Sequence, residues 1–306
     1  MAIPRVAIGP KPGRFAVAAV EKGGGTVVDI GDQPEVVVWL DAADASGLAA
    51  ALQTAPHARW VQLPFAGVEK FVEAGILTPD RTWTSAKGAY GRPVAEHALT
   101  LALAGLRLLP TRIQARSWGT PAGTSLYDQK VTILGGGGIT HFLLEQLAPF
   151  GVEATVVRRQ AEPVPGAART VTLSELQEVL PGALVVFLAL ALSPTTTGII
   201  GAPELELMDE RAWLVNVARG RHVKTDDLVA ALDAGSIAGA ALDVTDPEPL
   251  PDGHPLWDLP NCIITPHTAD TIEMIRPLLG ERIRANVERY AAGQELIGLV
   301  DVDAGY

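Results

Sequence analysis

The chain has 306 residues, of which 48% are hydrophobic and 19% are charged, and its formal net charge at pH 7 is −11. This length and composition indicate a globular protein of two domains and exclude a disordered chain. An acidic chain without a Lys- or Arg-rich run repels a phosphate backbone, so we expect no nucleic acid partner.

No segment of the sequence predicts export or a membrane span. The start lacks the continuous apolar stretch of a secretory signal, and an apolar run such as residues 183–192 is much shorter than the roughly 20 residues that a spanning helix needs. The single cysteine, Cys262, has no partner for an internal disulfide, which favours a reducing compartment. We therefore expect a cytoplasmic protein with no membrane partner.

In the first part of the sequence, β-branched runs alternate with Ala- and Leu-rich segments. Strands are predicted at 5–9, 27–30, 36–40 and 60–63, and helices at 15–22 and 48–55. This alternation predicts a small parallel α/β domain over residues 1–95. A longer helix is predicted at 93–109, with Pro93 in its first turn and Pro110 ending it, and this helix marks the domain boundary.

After this helix the alternation begins again and predicts a second domain over residues 96–268. Strands are predicted at 130–135, 153–158, 183–190, 213–218, 240–244 and 262–265. Strands so uniformly apolar are typical of a parallel sheet covered on both faces. A capping box over 174–177 and Thr225 ahead of DDLVAALDAG indicate two helix starts. Residues 269–306 are predicted to contain a last helix, at 271–292, that returns to the first domain.

A glycine-rich turn follows the first strand of the second domain. The segment VTILGGGGIT places Gly135 and Gly137 in a G-x-G-x-x-G pattern between a predicted strand and a predicted helix. Gly135 allows the tight turn, and Gly137 lets the backbone approach a pyrophosphate. The N–H groups around Gly138 and Ile139 then face the phosphates at a helix N-terminus. The second domain is therefore predicted to bind a dinucleotide, although Thr140 replaces the third glycine; the alternative is a turn that binds no ligand.

Two arginines follow the next predicted strand, where an acidic residue would accept from the ribose hydroxyl of NAD. Arg158 lies 23 residues after Gly135, about where that acid is expected, and Arg159 follows it. A guanidinium at this position complements a 2′-phosphate through charge-assisted hydrogen bonds. The sequence therefore favours NADP(H), with NAD(H) as the other possible cofactor. The alternative is that both arginines begin a solvated loop.

Several stretches together carry a family resemblance. LGGGGIT, NVARG, ALDVTDPEPLPDGHPLWDLPN and ITPHTA occur in this order, and RPVAEHAL precedes them. In these stretches the sequence resembles the D-isomer-specific 2-hydroxyacid dehydrogenases, which include glyoxylate and hydroxypyruvate reductases and phosphoglycerate dehydrogenase. The resemblance implies an α/β protein with a Rossmann dinucleotide-binding domain and a smaller, flavodoxin-like substrate domain. It also implies a homodimer, with the helix at 93–109 and the segment 111–128 at the contact.

The resemblance implies catalytic roles for Arg219, Glu248 and His267. Hydride delivered to a keto carbon leaves developing charge on its oxygen, and His267 would donate the proton that this oxygen needs. Glu248 would hold one ring nitrogen of that imidazole and stabilise its protonated form. Arg219 would bind the carboxylate of a 2-keto acid and polarise the adjacent carbonyl. Taken singly, each of these residues could instead have a purely structural role.

Contacts to substrate and cofactor are carried over from the same resemblance. The backbone of Ala66 and Gly67 is expected to hold the substrate carboxylate, although these two residues also fit an ordinary strand–helix turn. Val217, Ala218 and Asp243 are expected to border the nicotinamide end of the cofactor. No metal is expected in the site.

The expected activity is the NADP(H)-dependent reduction of a small 2-keto acid, such as glyoxylate or hydroxypyruvate, to the D-2-hydroxy acid. A phosphoglycerate-type dehydrogenase is one alternative. A second is a dinucleotide-sensing, protein-binding module such as the carboxyl-terminal-binding corepressors, which resemble this family in fold and retain similar catalytic residues. Formate dehydrogenases share this architecture, but their resemblance implies a His–Gln pair. They are disfavoured because Glu248 supplies a carboxylate in place of that glutamine. Departures at Thr245, Asp246, Lys224 and Thr225 prevent transfer of a substrate from any one subfamily.

Overall fold

A computed structural model describes residues 3–302 of the chain. Its strands are β1 (Arg5–Gly9), β2 (Thr26–Val27), β3 (Val36–Trp39), β4 (Trp60–Gln62), β5 (Thr82–Thr84), β6 (Lys130–Leu134), β7 (Glu153–Arg158), β8 (Arg169–Thr172), β9 (Val185–Leu188), β10 (Trp213–Asn216), β11 (Gly239–Leu242) and β12 (Cys262–Ile264). Its helices are α1 (Arg14–Lys22), α2 (Ala45–Thr54), α3 (Glu69–Glu73), α4 (Gly91–Leu106), α5 (Leu109–Gln114), α6 (Gly138–Leu147), α7 (Leu176–Val179), α8 (Ala202–Leu207), α9 (Thr225–Asp233) and α10 (Ile272–Ala291).

The chain forms two compact units. The first unit consists of Met1–Tyr90 together with Thr271–Tyr306, and the second unit is Gly91–Asp270. Within the described part of the chain, no helix combines the length and the apolar character needed to cross a membrane.

The first unit contains a five-stranded parallel sheet in the order β2-β1-β3-β4-β5. This is the flavodoxin-like strand order, so the predicted fold of this unit is confirmed. Its core consists mainly of aliphatic and aromatic side chains that are buried on one side of the sheet, among them Val37, Leu48, Leu63, Phe71 and Trp83. Helix α10 packs against α1, which makes the C-terminal helix part of the same unit.

A buried polar network joins α10 to the ends of β4 and β5. Gln62 Oε1 accepts hydrogen bonds from Thr84 Oγ1 at 2.9 Å and from Asn286 Nδ2 at 3.0 Å. Trp60 Nε1 donates to Thr84 Oγ1 at 2.7 Å. All four side chains are fully buried, and each uses its polar atoms inside the unit, as buried polar groups must.

The second unit contains a seven-stranded parallel sheet in the order β12-β11-β10-β9-β6-β7-β8. Counted from β6, this is the 3-2-1-4-5-6 order of the Rossmann fold with one further strand, which confirms the predicted architecture. Helix α4 packs against α6. A Cβ on Gly91 would lie 2.9 Å from the carbonyl carbon of Gly138, so the first turns of these two helices need a glycine at their contact.

The long helix predicted at 93–109 is divided in the structure. Helix α4 ends at Leu106, and Leu108 adopts a left-handed backbone with φ of 53°. Pro110 lies in the first turn of α5, because a proline lacks only an N–H that is unbonded there anyway. The expected domain boundary between residues 95 and 96 falls inside α4, whereas the two units divide before Gly91, because the whole of this helix packs on the second sheet.

Two predicted helix starts are also displaced. The capping box is formed by Thr172 and Glu175, rather than over 174–177, because the Glu175 carboxylate reaches the Thr172 N–H at 3.0 Å. Thr225 is the first residue of α9, and its hydroxyl donates to Asp246 O instead of capping the helix.

Strand β2 is shorter than predicted, since only Thr26 and Val27 pair with β1 at this sheet edge. The short elements β5, β8, α3, α5 and α8 were not predicted, because three to six residues give little periodicity.

Candidate active site

The glycine-rich turn joins β6 to α6 at the carboxyl edge of the second sheet. Gly135 has φ of 112°, and a Cβ there would lie 2.2 Å from Ala189 O, so only glycine fits. Gly137 is the N-cap of α6, and no atom lies within 4 Å of its would-be Cβ. Gly138 and Ile139 form the first turn of α6, where backbone N–H groups have no acceptor within the helix. The turn thus has the features that a phosphate cradle needs.

Thr140 takes the place of the third glycine without opening the turn. Its side chain is fully buried, and its Oγ1 donates to Gly135 O at 2.8 Å. The Thr140 side chain therefore holds the two ends of the turn together.

Arg158 is the last residue of β7, and its side chain extends over the glycine turn. A Cβ on Gly136 would lie 3.0 Å from Arg158 Cδ. Arg158 Nη2 lies 3.8 Å from Glu162 Oε2, and the two side chains are 32% and 62% exposed, so water screens this ion pair. Arg159 follows directly, outside the strand. The structure therefore places at least one guanidinium beside the predicted phosphate cradle.

Arg219 follows the carboxyl end of β10, in a turn that Asn216 holds. Asn216 Oδ1 accepts from Ala218 N at 3.0 Å, and its Nδ2 donates to Arg219 O at 3.0 Å. Arg219 Nη1 donates to Ala218 O at 2.7 Å, and the side chain is half-buried. Val217 and Ala218 are buried at the same strand end. Asn216 was not predicted as a residue of the site, although a lone amide side chain in an apolar strand was a signal that could have identified it.

The loop that carries Glu248 packs against the Arg219 turn. A Cβ on Gly220 would lie 1.9 Å from Thr245 O, so the two segments touch only because residue 220 is glycine. Glu248 Oε1 lies 2.6 Å from His267 Nδ1. The two side chains are 42% and 46% exposed. The structure therefore pairs Glu248 with His267 and leaves the Nε2 side of the imidazole for a substrate.

Asp243, which follows β11, organises the segment around His267. Its carboxylate accepts from Thr265 Oγ1 at 2.5 Å, from Thr268 N at 2.9 Å and from Ala269 N at 3.0 Å. Burial raises the pKa of this carboxyl, but hydrogen bonds led by that from His97 outweigh burial and lower the pKa to about 2. Asp243 is therefore an anion that accepts several hydrogen bonds from the protein, and its place beside the nicotinamide stays a prediction.

Three further residues at this sheet edge were not predicted as functional. His97 on α4 lies 3.3 Å from Asp243 Oδ1. His222 is fully buried, with Nδ1 2.9 Å from Thr196 O and Nε2 3.2 Å from Leu190 O, so it ties the Arg219 turn to the segment after β9. Asp270 follows the His267 segment; burial raises its pKa, and the nearby charges of His267 and Arg219 oppose that rise. The spacing of these residues along the sequence gave no sign of a functional role.

Ala66 and Gly67 lie in the first unit, in the turn between β4 and α3. Neither N–H donates to a backbone acceptor within residues 3–302. Their role as substrate ligands stays a prediction.

The residues at the carboxyl edge of the second sheet fit a bound dinucleotide. The positive φ of Gly135, the uncrowded Gly137 and the start of α6 suit a pyrophosphate, and Arg158 suits a further phosphate. Among residues 3–302, no group of three or more His, Cys, Asp or Glu side chains could hold a metal ion.

Comparison with known proteins identifies the family. A family model described as D-isomer specific 2-hydroxyacid dehydrogenase, NAD binding domain, matches residues 97–269, which is more than half of the chain. The protein belongs to this family. This dehydrogenase is accordingly an NAD(P)-dependent oxidoreductase, as the resemblance implied.

Relatives and a solved structure agree with this assignment. An uncharacterized protein in the proB 3′ region of Corynebacterium melassecola is 44% identical over 254 residues, which cover 81% of this chain and 84% of that protein. The human glyoxylate reductase/hydroxypyruvate reductase is 35% identical over 214 residues, covering 67% of this chain and 63% of the human protein. The crystal structure of a D-isomer specific 2-hydroxyacid dehydrogenase from Xanthobacter autotrophicus Py2, in complex with NADPH and MES, has a TM-score of 0.86 at 26% identity and covers 100% of both chains.

Proposed function

We propose that the dehydrogenase reduces a small 2-keto acid, of the glyoxylate or hydroxypyruvate kind, to the D-2-hydroxy acid with NADPH. The observation that carries this proposal is the 2.6 Å contact between His267 Nδ1 and Glu248 Oε1. A His–carboxylate pair at the carboxyl edge of a Rossmann sheet is suited to giving a proton to a developing alkoxide. The human relative named as a glyoxylate and hydroxypyruvate reductase supports the substrate class.

Each residue has a distinct part in the proposed reaction. The nicotinamide, when bound, supplies a hydride to the keto carbon. Arg219 binds the substrate carboxylate and polarises the adjacent carbonyl, which fixes the angle of attack. His267 donates a proton from Nε2 to the carbonyl oxygen, and Glu248 stabilises the imidazolium before that transfer. Val217 and Ala218 are the proposed border of the nicotinamide pocket.

The proposed preference for NADPH rests on Arg158 and its neighbour Arg159. The side chain of Arg158 lies over Gly136, next to the phosphate cradle, and its partner Glu162 is exposed. A 2′-phosphate offers a stronger, charge-assisted partner than this screened ion pair. The NADPH bound in the Xanthobacter autotrophicus structure supports the same choice.

A substrate panel tests the proposed activity. Purified protein is mixed with NADPH or NADH and with glyoxylate, hydroxypyruvate, pyruvate or a phosphorylated hydroxypyruvate, and the oxidation of the dinucleotide is followed by absorbance. We expect turnover of the small, unphosphorylated acids and a higher kcat/KM with NADPH. Binding of NADPH without turnover of any 2-keto acid would contradict the proposal and favour a dinucleotide-sensing module.

A homodimer is proposed from the segment that follows α4. Four large apolar side chains there are exposed on the single chain: Leu109 (46%), Ile113 (76%), Trp118 (96%) and Tyr127 (58%). A protein seldom leaves such a group in water unless a partner covers it. We expect a dimeric mass by light scattering at micromolar concentration and a monomeric mass for Trp118→Ser. A monomeric wild-type protein would contradict the proposal.

A further inference from the structure

The segment 265–269 presents His267 in a conformation that needs external support. His267 has φ of 52°, which a residue with a Cβ adopts only at a cost. Its N–H donates to Asp243 O at 2.8 Å, and its side chain is 46% exposed. Such a backbone persists only where its surroundings fix it, so the neighbours of this segment decide where the imidazole lies.

A directed chain of hydrogen bonds connects this segment to α4. Thr265 Oγ1 lies 2.5 Å from Asp243 Oδ1 and 3.0 Å from His97 Nε2. A carboxylate only accepts, so the single hydroxyl proton goes to Asp243. His97 Nε2 lies 3.0 Å from this hydroxyl and 3.3 Å from Asp243 Oδ1, and both oxygens can only accept from it, so the imidazole carries its proton on Nε2. His97, Thr265 and Asp243 are called the clamp below.

The clamp joins the two stretches of the second unit at which the chain enters and leaves it. The chain enters the second unit at Gly91, which begins α4, and leaves it after Asp270. His97 is in the second turn of α4, and Thr265 lies shortly before the exit. Asp243 holds both sides of His267, because it accepts from Thr265 and also from Thr268 N and Ala269 N.

We propose that His97 is a positioning residue: its hydrogen bond to Thr265, and through it to Asp243, ties α4 to the segment 265–269 and thereby holds His267 where it transfers a proton. This inference deepens the proposed reduction and rests on it. His97 touches neither Glu248 nor His267 in the structure; its partners are Thr265 and Asp243. It therefore affects the geometry of catalysis and not the binding of either substrate.

The test separates His97 from its neighbour on the same helix. His97→Leu removes the donor, His97→Gln replaces it with an amide N–H of similar reach, and Glu96→Gln changes an exposed residue as the matched control. We expect His97→Leu to lower kcat roughly 10- to 100-fold, because small misplacements of a reacting group have effects of that size. KM for the keto acid and for NADPH should stay within about threefold, and His97→Gln should recover most of kcat. A change in KM with an unchanged kcat would overturn the proposal.

Hydrogen exchange provides a readout that needs no activity. The amides of Thr268 and Ala269 donate to Asp243, so a weakened clamp should let the peptide 264–270 exchange about tenfold faster in His97→Leu, and not in Glu96→Gln. If His97→Leu does not fold, Thr265→Val removes the hydroxyl and leaves α4 intact, with the same expected result. Unchanged exchange overturns the clamp, and faster exchange without loss of kcat overturns its catalytic role. Absence of turnover in the wild-type protein overturns the proposed function instead, and exchange then still decides the clamp.

Discussion

The two units use buried polar side chains for different purposes. In the first unit Gln62 and Thr84 end β4 and β5, Asn286 lies on α10, and the three neutral side chains are joined by hydrogen bonds to Gln62. The buried polar groups of the second unit include the Asp243 anion, which lies just after β11 and accepts hydrogen bonds from the segment that carries His267. Buried polarity in the first unit thus joins secondary-structure elements together, whereas in the second unit it holds the segment that carries His267.

This comparison predicts different consequences of substitution. Changes at the edge of the second sheet should alter catalysis or cofactor choice, and changes in the polar network of the first unit should alter stability alone.

His267→Gln should have the largest effect on rate. It removes the proposed proton donor, and the loss of general acid catalysis lowers rates roughly 10²- to 10⁴-fold. The free energy of unfolding should change little, because the side chain is 46% exposed. Steady-state kinetics with NADPH and urea unfolding measure the two effects, with His57→Gln, an exposed histidine of the first unit, as control. A kcat within threefold of wild type would remove His267 from the mechanism.

Arg158→Ala should act on one cofactor only. A charge-assisted hydrogen bond contributes roughly 1.5–3 kcal/mol, so the change should weaken NADPH binding about 10- to 100-fold and leave NADH nearly unaffected. Kd values from fluorescence titration check this, and Arg211→Ala, an exposed arginine of the same unit, is the control. Equal weakening of both cofactors, or equal wild-type efficiency with both, would contradict the NADPH preference.

Asp243→Asn should lower stability in a pH-dependent way. The pKa of Asp243 falls from its ordinary value of 3.8 to about 2 on folding, so its ionised form stabilises the folded state above pH 3.8. That stabilisation, about 2 kcal/mol at neutral pH, is lost as the pH falls from about 4 towards 2. Urea unfolding of wild type and variant over this range should show the difference shrinking. The prediction would be refuted by a difference in unfolding free energy that stays constant over this pH range, or by an equal difference for the exposed Asp233→Asn.

Thr84→Val should have the smallest effect, and on stability alone. It removes the acceptor of Trp60 Nε1 and a donor to Gln62, at a net cost of about 1 kcal/mol per lost hydrogen bond. Thr82→Val, at an exposed position of the same strand, is the matched control. Urea midpoints and kcat are measured together. A loss of kcat without a loss of stability would break the contrast between the two units.

Much of the fold could be predicted from the sequence. Long apolar strands such as β7 and the alternation with helices depend on local periodicity, which the chain carries without its tertiary contacts. The glycine turn was equally readable, because Gly135 and Gly137 meet backbone requirements that other residues do not. The end of α4 could not be predicted, since Pro110 signals a break in a helix but does not show whether a new helix follows.

The candidate site divides in the same way. Arg219, Glu248 and His267 were named from motifs, and their mutual placement depends on contacts between distant segments, such as Gly220 against Thr245. The contacts of His97 and Asp243 became visible only in three dimensions, because 168 residues separate His97 from its partner Thr265. Which chemical groups the sheet edge carries can be read from the sequence, since residue types and turn glycines are local properties. Which of those groups bond one another depends on the folded chain, because hydrogen bonds require distances that no spacing along the chain specifies.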